Sequence, residues 1–291
     1  MSSADEMSRP GGVIHDIGYR RYTGPRLGRR HATAALYVHS VRTAFGLGRS
    51  AKAKIFPGIV IGLAFAVAVV AVAIRTQTGE VAITYLEYTG GMGILILLFL
   101  AVVAPELVCR DLRARVLPLY FSRPVRRTDY ALAKLAAMIS AVWLLLAGPL
   151  LLMFLGGVFA QTGGVSGARH ELTDFLGGLG YAAITAIVLG AVAVPLASLT
   201  SRRAVAAVVI VAAFLVTTPV IGVIDAVGGT TGRQLAPLLN PLAMLSGLQT
   251  WIFRTGSLDI GRYGPLYLVT ALVLVGGCVA LLVVRYRRVV A

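Results

Sequence analysis

The sequence predicts an all-α integral membrane protein with six transmembrane helices. Three observations carry that class. Six long apolar runs divide the chain, at about 55–74, 90–108, 135–160, 175–199, 204–227 and 265–284. Charged residues make up only 13% of it, and its mean hydropathy is +0.83. Its basic residues gather on alternate sides of the runs. Each run is long enough to cross a hydrocarbon core of about 30 Å as a helix rising ~1.5 Å per residue. A backbone in lipid has to satisfy its own hydrogen bonds, which makes such runs helical.

The net charge of +15 is a nucleic-acid signal only if it forms one surface. Here it is divided by the spans. Ten Lys and Arg precede the first run, seven lie between the second and third (Arg110, Arg113, Arg115, Arg123, Arg126, Arg127 and Lys134), two between the fourth and fifth, and three after the sixth. The opposite side holds five: Arg75, Arg169, Arg233, Arg254 and Arg262. The positive-inside rule then places both termini in the cytoplasm, as an even number of spans requires. The first fifty-odd residues are polar and basic, so the expectation is a retained signal anchor and no cleavable leader. Cys109 and Cys278 imply no disulfide framework.

Residues 1–54 read as a cytoplasmic basic arm ending in an amphipathic helix, and 55–288 as the six-span domain. Glycine and proline punctuate residues 1–25. From about Leu27 to Lys54 the pattern is helical, with Ala34, Tyr37, Val38, Val41, Ala44 and Phe45 on one face and His39, Arg42, Thr43 and Arg49 opposite. Such a helix before a span suits the inner leaflet's interface: Tyr37, Val41 and Phe45 toward lipid, Arg42 and Arg49 toward anionic headgroups. Gly46 and Gly48 permit a bend into the first span.

The segment after the second span is the most informative. The helix is expected to run on to about Leu117, where Pro118 stops it. A short patch, Leu119-Tyr120-Phe121, precedes a turn at Ser122-Arg123-Pro124. Thr128 is the expected cap of the third span, and Asp129 favours its positive end. Aromatics beside arginine fit a protein-docking contact; composition equally allows a loop dipping back into lipid. Four residues, 200–203, join the fourth and fifth spans and force an antiparallel pair, with Pro195 and Pro219 as candidate kinks. The segment at 228–264 is broken by proline, so it reads as short helices that re-enter or lie on the outer leaflet, with Trp251 and Phe253 at the interface. Gly62, Gly148, Gly190 and Gly222 are read as close-packing positions.

Several chemistries are excluded. Lys52, Lys54 and Lys134 each follow alanine, so no phosphate-binding P-loop is present. No His-Glu-x-x-His occurs and none of the four histidines lies within a run, so no metal site is expected. Ser166 and His170 sit in what reads as a short polar outer loop at arbitrary spacing. Of ionisable residues within the runs, only Glu106 and Asp225 qualify; Glu106 is expected to pair with Arg110 one turn on. A proton or ion relay needs more embedded charge than this. The chain is not expected to be an enzyme by itself.

In this order the pieces resemble the permease of type-2 ATP-binding-cassette (ABC) exporters. The likeness is carried by Ala104-Pro105-Glu106 leading to Asp111, by Leu117-Pro118-Leu119-Tyr120-Phe121-Ser122-Arg123-Pro124 and by Asp129-Tyr130-Ala131-Leu132-Ala133-Lys134. Ser198-Leu199-Thr200-Ser201-Arg202-Arg203 and Asn240-Pro241-Leu242 add to it. It covers roughly residues 50–288. Tyr19-Arg20-Arg21-Tyr22-Thr23-Gly24-Pro25-Arg26 is similar to the arm of actinobacterial members. The resemblance implies a permease paired with a second copy or a sister chain on two separate ATPase subunits, which carry the ATP and Mg. It implies a coupling helix after the second span that fits a groove on the ATPase. Leu117 to Pro124 would form that contact, flanked by Arg113 and Arg115. The cargo would be an apolar or amphipathic molecule, and the lipid of the cytoplasmic membrane the surroundings. A membrane scaffold or sensor subunit that moves nothing is the alternative.

Overall fold

Gly46 and Gly48 take left-handed backbone, with φ of 70° and 77°. They turn the chain between helix α1, Arg29–Ala44, and helix α2, Ala51–Thr78. A Cβ at position 46 would stand 2.6 Å from the Ala53 carbonyl oxygen, so this bend requires glycine. The computed structural model describes residues 24, 27–48, 51–114, 116–122, 124–160, 164–256 and 258–288. The expectations placed on Arg49, Arg115, Arg123 and the arginines of the arm up to Arg26 fall outside the described residues.

The chain continues through α3, Tyr85–Gly91; α4, Gly93–Arg113; α5, Leu117–Phe121; α6, Arg127–Ala160; and α7, Gly164–Ser198. Then come α8, Arg203–Leu215; α9, Thr217–Val227; α10, Gly229–Leu235; α11, Pro241–Phe253; and α12, Gly264–Arg288. Short 3-10 turns stand at Ala236–Leu239 and Gly261–Tyr263, and there is no strand among the described residues. Among the described residues six segments are long and apolar enough to span a bilayer: α2, α4, α6, α7, α8 with α9, and α12. The chain is a multi-pass, all-helical membrane protein.

The helices do not stop where the apolar runs do. α6 begins at Arg127, ahead of the run at 135, and α7 begins at Gly164 instead of 175. Ser166 and His170, expected in a loop, are therefore helical, and His170 Nδ1 lies 3.0 Å from Asp174 one turn on. The second span starts later than expected, because Gly90 and Gly91 close a separate helix, α3. Thr84 and Glu87 open that helix with a capping box: Glu87 N donates to Thr84 Oγ1 at 3.2 Å, and Thr84 N donates to Glu87 Oε2 at 2.9 Å.

α6 and α7 form the central antiparallel pair, with α4 beneath α7 and α8, and with α2 and α1 against α6. Over the most apolar stretch of each span, 67% of the residues in α7 and 61% in α4 are buried within the chain, against 11% in the fifth and 17% in the sixth. The second and fourth spans are thus the core, and the fifth and sixth turn most of their surface outward. Gly190 and Gly148 lie at helix crossings as expected, where an added Cβ would come within 3.0 Å of Ile139 and Phe65. Gly62 and Gly222 face open space instead.

The fifth span is interrupted at Val216, between α8 and α9. Pro219 has no N–H for the carbonyl of Leu215, so the ladder breaks there. Asn240 braces the chain beside this break: its Nδ2 donates to the Phe214 carbonyl at 2.7 Å and to Thr218 Oγ1 at 3.2 Å, while its Oδ1 caps α11 by accepting from Leu242 N at 2.8 Å. Pro195, the other expected kink, lies inside α7, which runs on to Ser198. The segment before the last span folds back on the bundle, with α11 against α12, α7 and α3.

Candidate functional site

One end of the bundle gathers most of the basic residues of the described chain. It is built from α1, the last turn of α4, α5, the start of α6, the junction of α7 with α8 and the last turns of α12. α4 ends at Arg113, short of the expected Leu117, and Pro118 does not terminate it. Pro118 instead occupies the first turn of α5, where its missing N–H costs nothing. Arg113 is exposed at the end of α4. α5 buries Leu117 at 5% exposure and offers Leu119 to the outside at 68%. Ser122 closes it by donating to the Leu119 carbonyl at 2.9 Å, and Pro124 in the following turn is exposed. Phe121 is the last residue of the helix.

Tyr120 is not displayed as a free aromatic. Its ring stands 5.5 Å from that of Tyr130 on α6, which in turn lies 5.2 Å from Tyr286 on α12. Tyr130 and Tyr286 are fully buried. This row of three rings ties α5 to the third and sixth spans. Tyr130 also donates to Asp111 Oδ2 at 2.7 Å, and Lys134 Nζ reaches the same oxygen at 2.9 Å. The lysine therefore sits at 4% exposure without an unpaired charge.

Around this centre the helix ends are fastened to one another. Asp129 accepts both Arg29 Nε and Arg29 Nη2 at 2.6 Å, a two-pronged bond that raises the arginine's pKa further and pins the start of α1 to α6. The same carboxylate accepts from Arg126 N at 3.1 Å, so Asp129, not Thr128, caps the third span. Arg285 of α12 donates to the carbonyls of Ser198 and Leu199, at 2.8 and 3.2 Å, which end α7 and have no helical partner. Glu106 of α4 is bonded by Arg203 at the start of α8, a partner that the spacing did not reveal.

α1 meets the bundle along Leu36, Ser40 and Ala44. Tyr37 shares a 2.8 Å hydrogen bond with Ser140 of α6, and Phe45 packs 6.1 Å from Phe99 of α4. Val41 is half-buried, and Arg42 and Val38 are exposed. The face turned inward is therefore rotated from the apolar face expected, and Tyr37 and Phe45 rest on protein. Between α1, α4, α5 and α6 lies a groove of 430 Å³ lined by His39, Glu106, Arg110, Asp111, Leu119 and Tyr120 among others.

The short helix α5 falls within the segment that sequence reading singled out, and that reading missed the residues that hold it. Asp111, Tyr130, Lys134 and Tyr286 were legible only as parts of a resemblance or of a tail. Among the described residues no three His, Cys, Asp or Glu gather as a metal site. No protein-family model and no curated protein matches this chain.

Proposed function

We propose that the chain is the membrane-spanning permease subunit of an ATP-driven exporter, resembling the type-2 ABC class and moving an apolar or amphipathic molecule. Its power comes from two separate ATPase subunits that bind ATP and Mg, and it works with a second permease copy or a sister chain. The basic end faces the cytoplasm, α1 lies at the inner leaflet's interface with Arg42 in the headgroups, and α5 is the coupling helix. The ATPase contact is Leu117 to Pro124, flanked by Arg113 and Arg115.

The observation that carries this reading is the placement of α5. It is a five-residue helix at the basic end with an outward leucine, and it is wired by the Tyr120, Tyr130 and Tyr286 rings to the third and sixth spans. A push on α5 would therefore move helices instead of bending a loop. Closure of the ATPases on ATP supplies the push. Few polar groups face the interior of the spans, which suits a cargo held by van der Waals contact.

The test is co-purification with a candidate ABC ATPase, sought among the products of the neighbouring genes. Leu119→Asp puts a charge at the exposed tip of α5 and leaves the buried rings untouched. We expect association to weaken at least tenfold, as for a residue worth about 2 kcal/mol at a hot spot. Undiminished association, with undiminished ATP turnover, would sink the coupling assignment.

A further inference from the structure

The end of the bundle away from α5 contains a cavity of 470 Å³. It is bounded by α2, the segment from Val81 to Leu86, α6, α7 and the end of α11. Its walls are apolar, with Val72 from α2, Met153 from α6 and Phe253 from α11. Arg75 of α2, Glu171 of α7 and Tyr85 of α3 also line it. Arg75 Nη1 and Nη2 donate to the two carboxylate oxygens of Glu171 at 2.8 and 2.6 Å, and Tyr85 donates to Oε1 as well. Glycine makes room for the pair: a Cβ on Gly157 would lie 2.4 Å from Glu171 Oε1 and 2.5 Å from Arg75 Nη1.

The charge balance of this lining runs against that of the chain. The protein carries +15, yet among the described residues the cavity is lined by one arginine and two carboxylates, Glu171 and Asp174. Arg75 and Glu171 cancel each other. Asp174, half-exposed at the rim, meets only an imidazole, His170 Nδ1 at 3.0 Å on one oxygen, so the described lining holds one more carboxylate than guanidinium. A space with apolar and aromatic walls and one surplus negative charge discriminates by sign: it favours a bulky apolar cation and disfavours its anionic twin.

We infer that this cavity is a binding site for lipophilic cations, with the apolar body against Val72, Met153 and Phe253 and the positive charge toward Asp174. Binding is a property of this chain alone and stands whether or not an ATPase drives it.

The test uses two ions of the same shape and opposite charge, tetraphenylphosphonium and tetraphenylborate. Radiolabelled forms are dialysed to equilibrium against the purified full chain in a non-ionic detergent. Saturable binding of the phosphonium is expected, with none of the borate. Asp174→Asn should weaken the phosphonium by on the order of tenfold, the share of one partly exposed charge. Val81→Trp, placed at the exposed mouth, should abolish binding by filling the space. Both positions are solvent-exposed, so an unchanged elution profile certifies the fold. Borate binding as tight as phosphonium, or phosphonium affinity unaltered in Asp174→Asn, overturns the assignment.

Discussion

Lys134 and Asp111 meet at 2.9 Å, joining the third span to the last turn of the second beneath the short helix α5. The two side chains are 5% and 15% exposed, so each is the other's replacement for water. Lys134→Met leaves the carboxylate with the Tyr130 hydroxyl but without its cation. A cost of about 3 kcal/mol is expected, because an orphaned buried charge is the expensive state. Adding Asp111→Asn removes that charge and should recover most of the loss, since Tyr130 can still donate to an amide oxygen. Equilibrium unfolding of the two single variants and the double variant in mixed micelles closes the cycle; additive costs would mean that the two residues act independently.

The same pair explains what the sequence could and could not tell. Apolar runs are local, so all six spans were legible. Their limits were not, because a run ends at the first charge and a helix does not. The apolar run of the third span starts at 135, just after Lys134, although Thr128 reads as its cap; the lysine is inside α6, with its charge met by Asp111 of α4. Arg169, His170, Glu171 and Asp174 hid the first turns of α7 in the same way. Glu106 carried a plausible partner at the helical spacing, and only the fold brings Arg203 to it from 97 residues away. In the candidate site, Pro118 reads in the sequence as the stop of the second span, and only the resemblance implies a helix at this point; Pro118 instead opens α5. The inward aim of Tyr120 depends on Tyr130 and Tyr286, and no spacing rule links those.

At the opposite end the Arg75 and Glu171 pair should carry stability as well as shape the cavity. Glu171 is 8% exposed, so Arg75→Ala strands a buried carboxylate and is expected to cost about 3 kcal/mol. Gly157→Ala should also destabilise, although it removes no interaction, because its methyl would overlap the ion pair. Ala substitution at Gly62, which faces open space, is the control and should leave the unfolding midpoint in place.

Tyr85 gives a pH signature. Burial, with the adjoining Glu171 carboxylate, drives its pKa upward. A group raised in the folded state contributes stability in full below its unfolded value, near 10 for tyrosine, and loses it as pH climbs toward the folded value. The folded protein should therefore lose stability as pH rises above about 10, and Tyr85→Phe should flatten part of that slope. Below that pH the variant should cost on the order of 1 kcal/mol for the lost hydrogen bond. Parallel slopes for the two proteins across the alkaline range would show that Tyr85 ionises as freely folded as unfolded.

Asn240 does two jobs with one amide, and the two can be separated. Its oxygen caps α11 at Leu242, and its nitrogen supplies the Phe214 carbonyl where the fifth span is broken. Asn240→Asp keeps the acceptor and removes the donor, so the cap survives while a buried carbonyl faces a carboxylate. Asn240→Ala removes both and leaves a small void. If the amide nitrogen matters more, the Asp variant should be at least as unstable as the Ala variant, which on lost cap and lost donor together should cost about 2 kcal/mol. If the cap matters more, Asp should stay close to the original protein. The geometry favours the first outcome: Asn240 is 4% exposed, and the carbonyl it serves lies beside the break between α8 and α9, where water is scarce. Comparing unfolding midpoints of the two variants, with hydrogen exchange read at α8 and α9, decides between them.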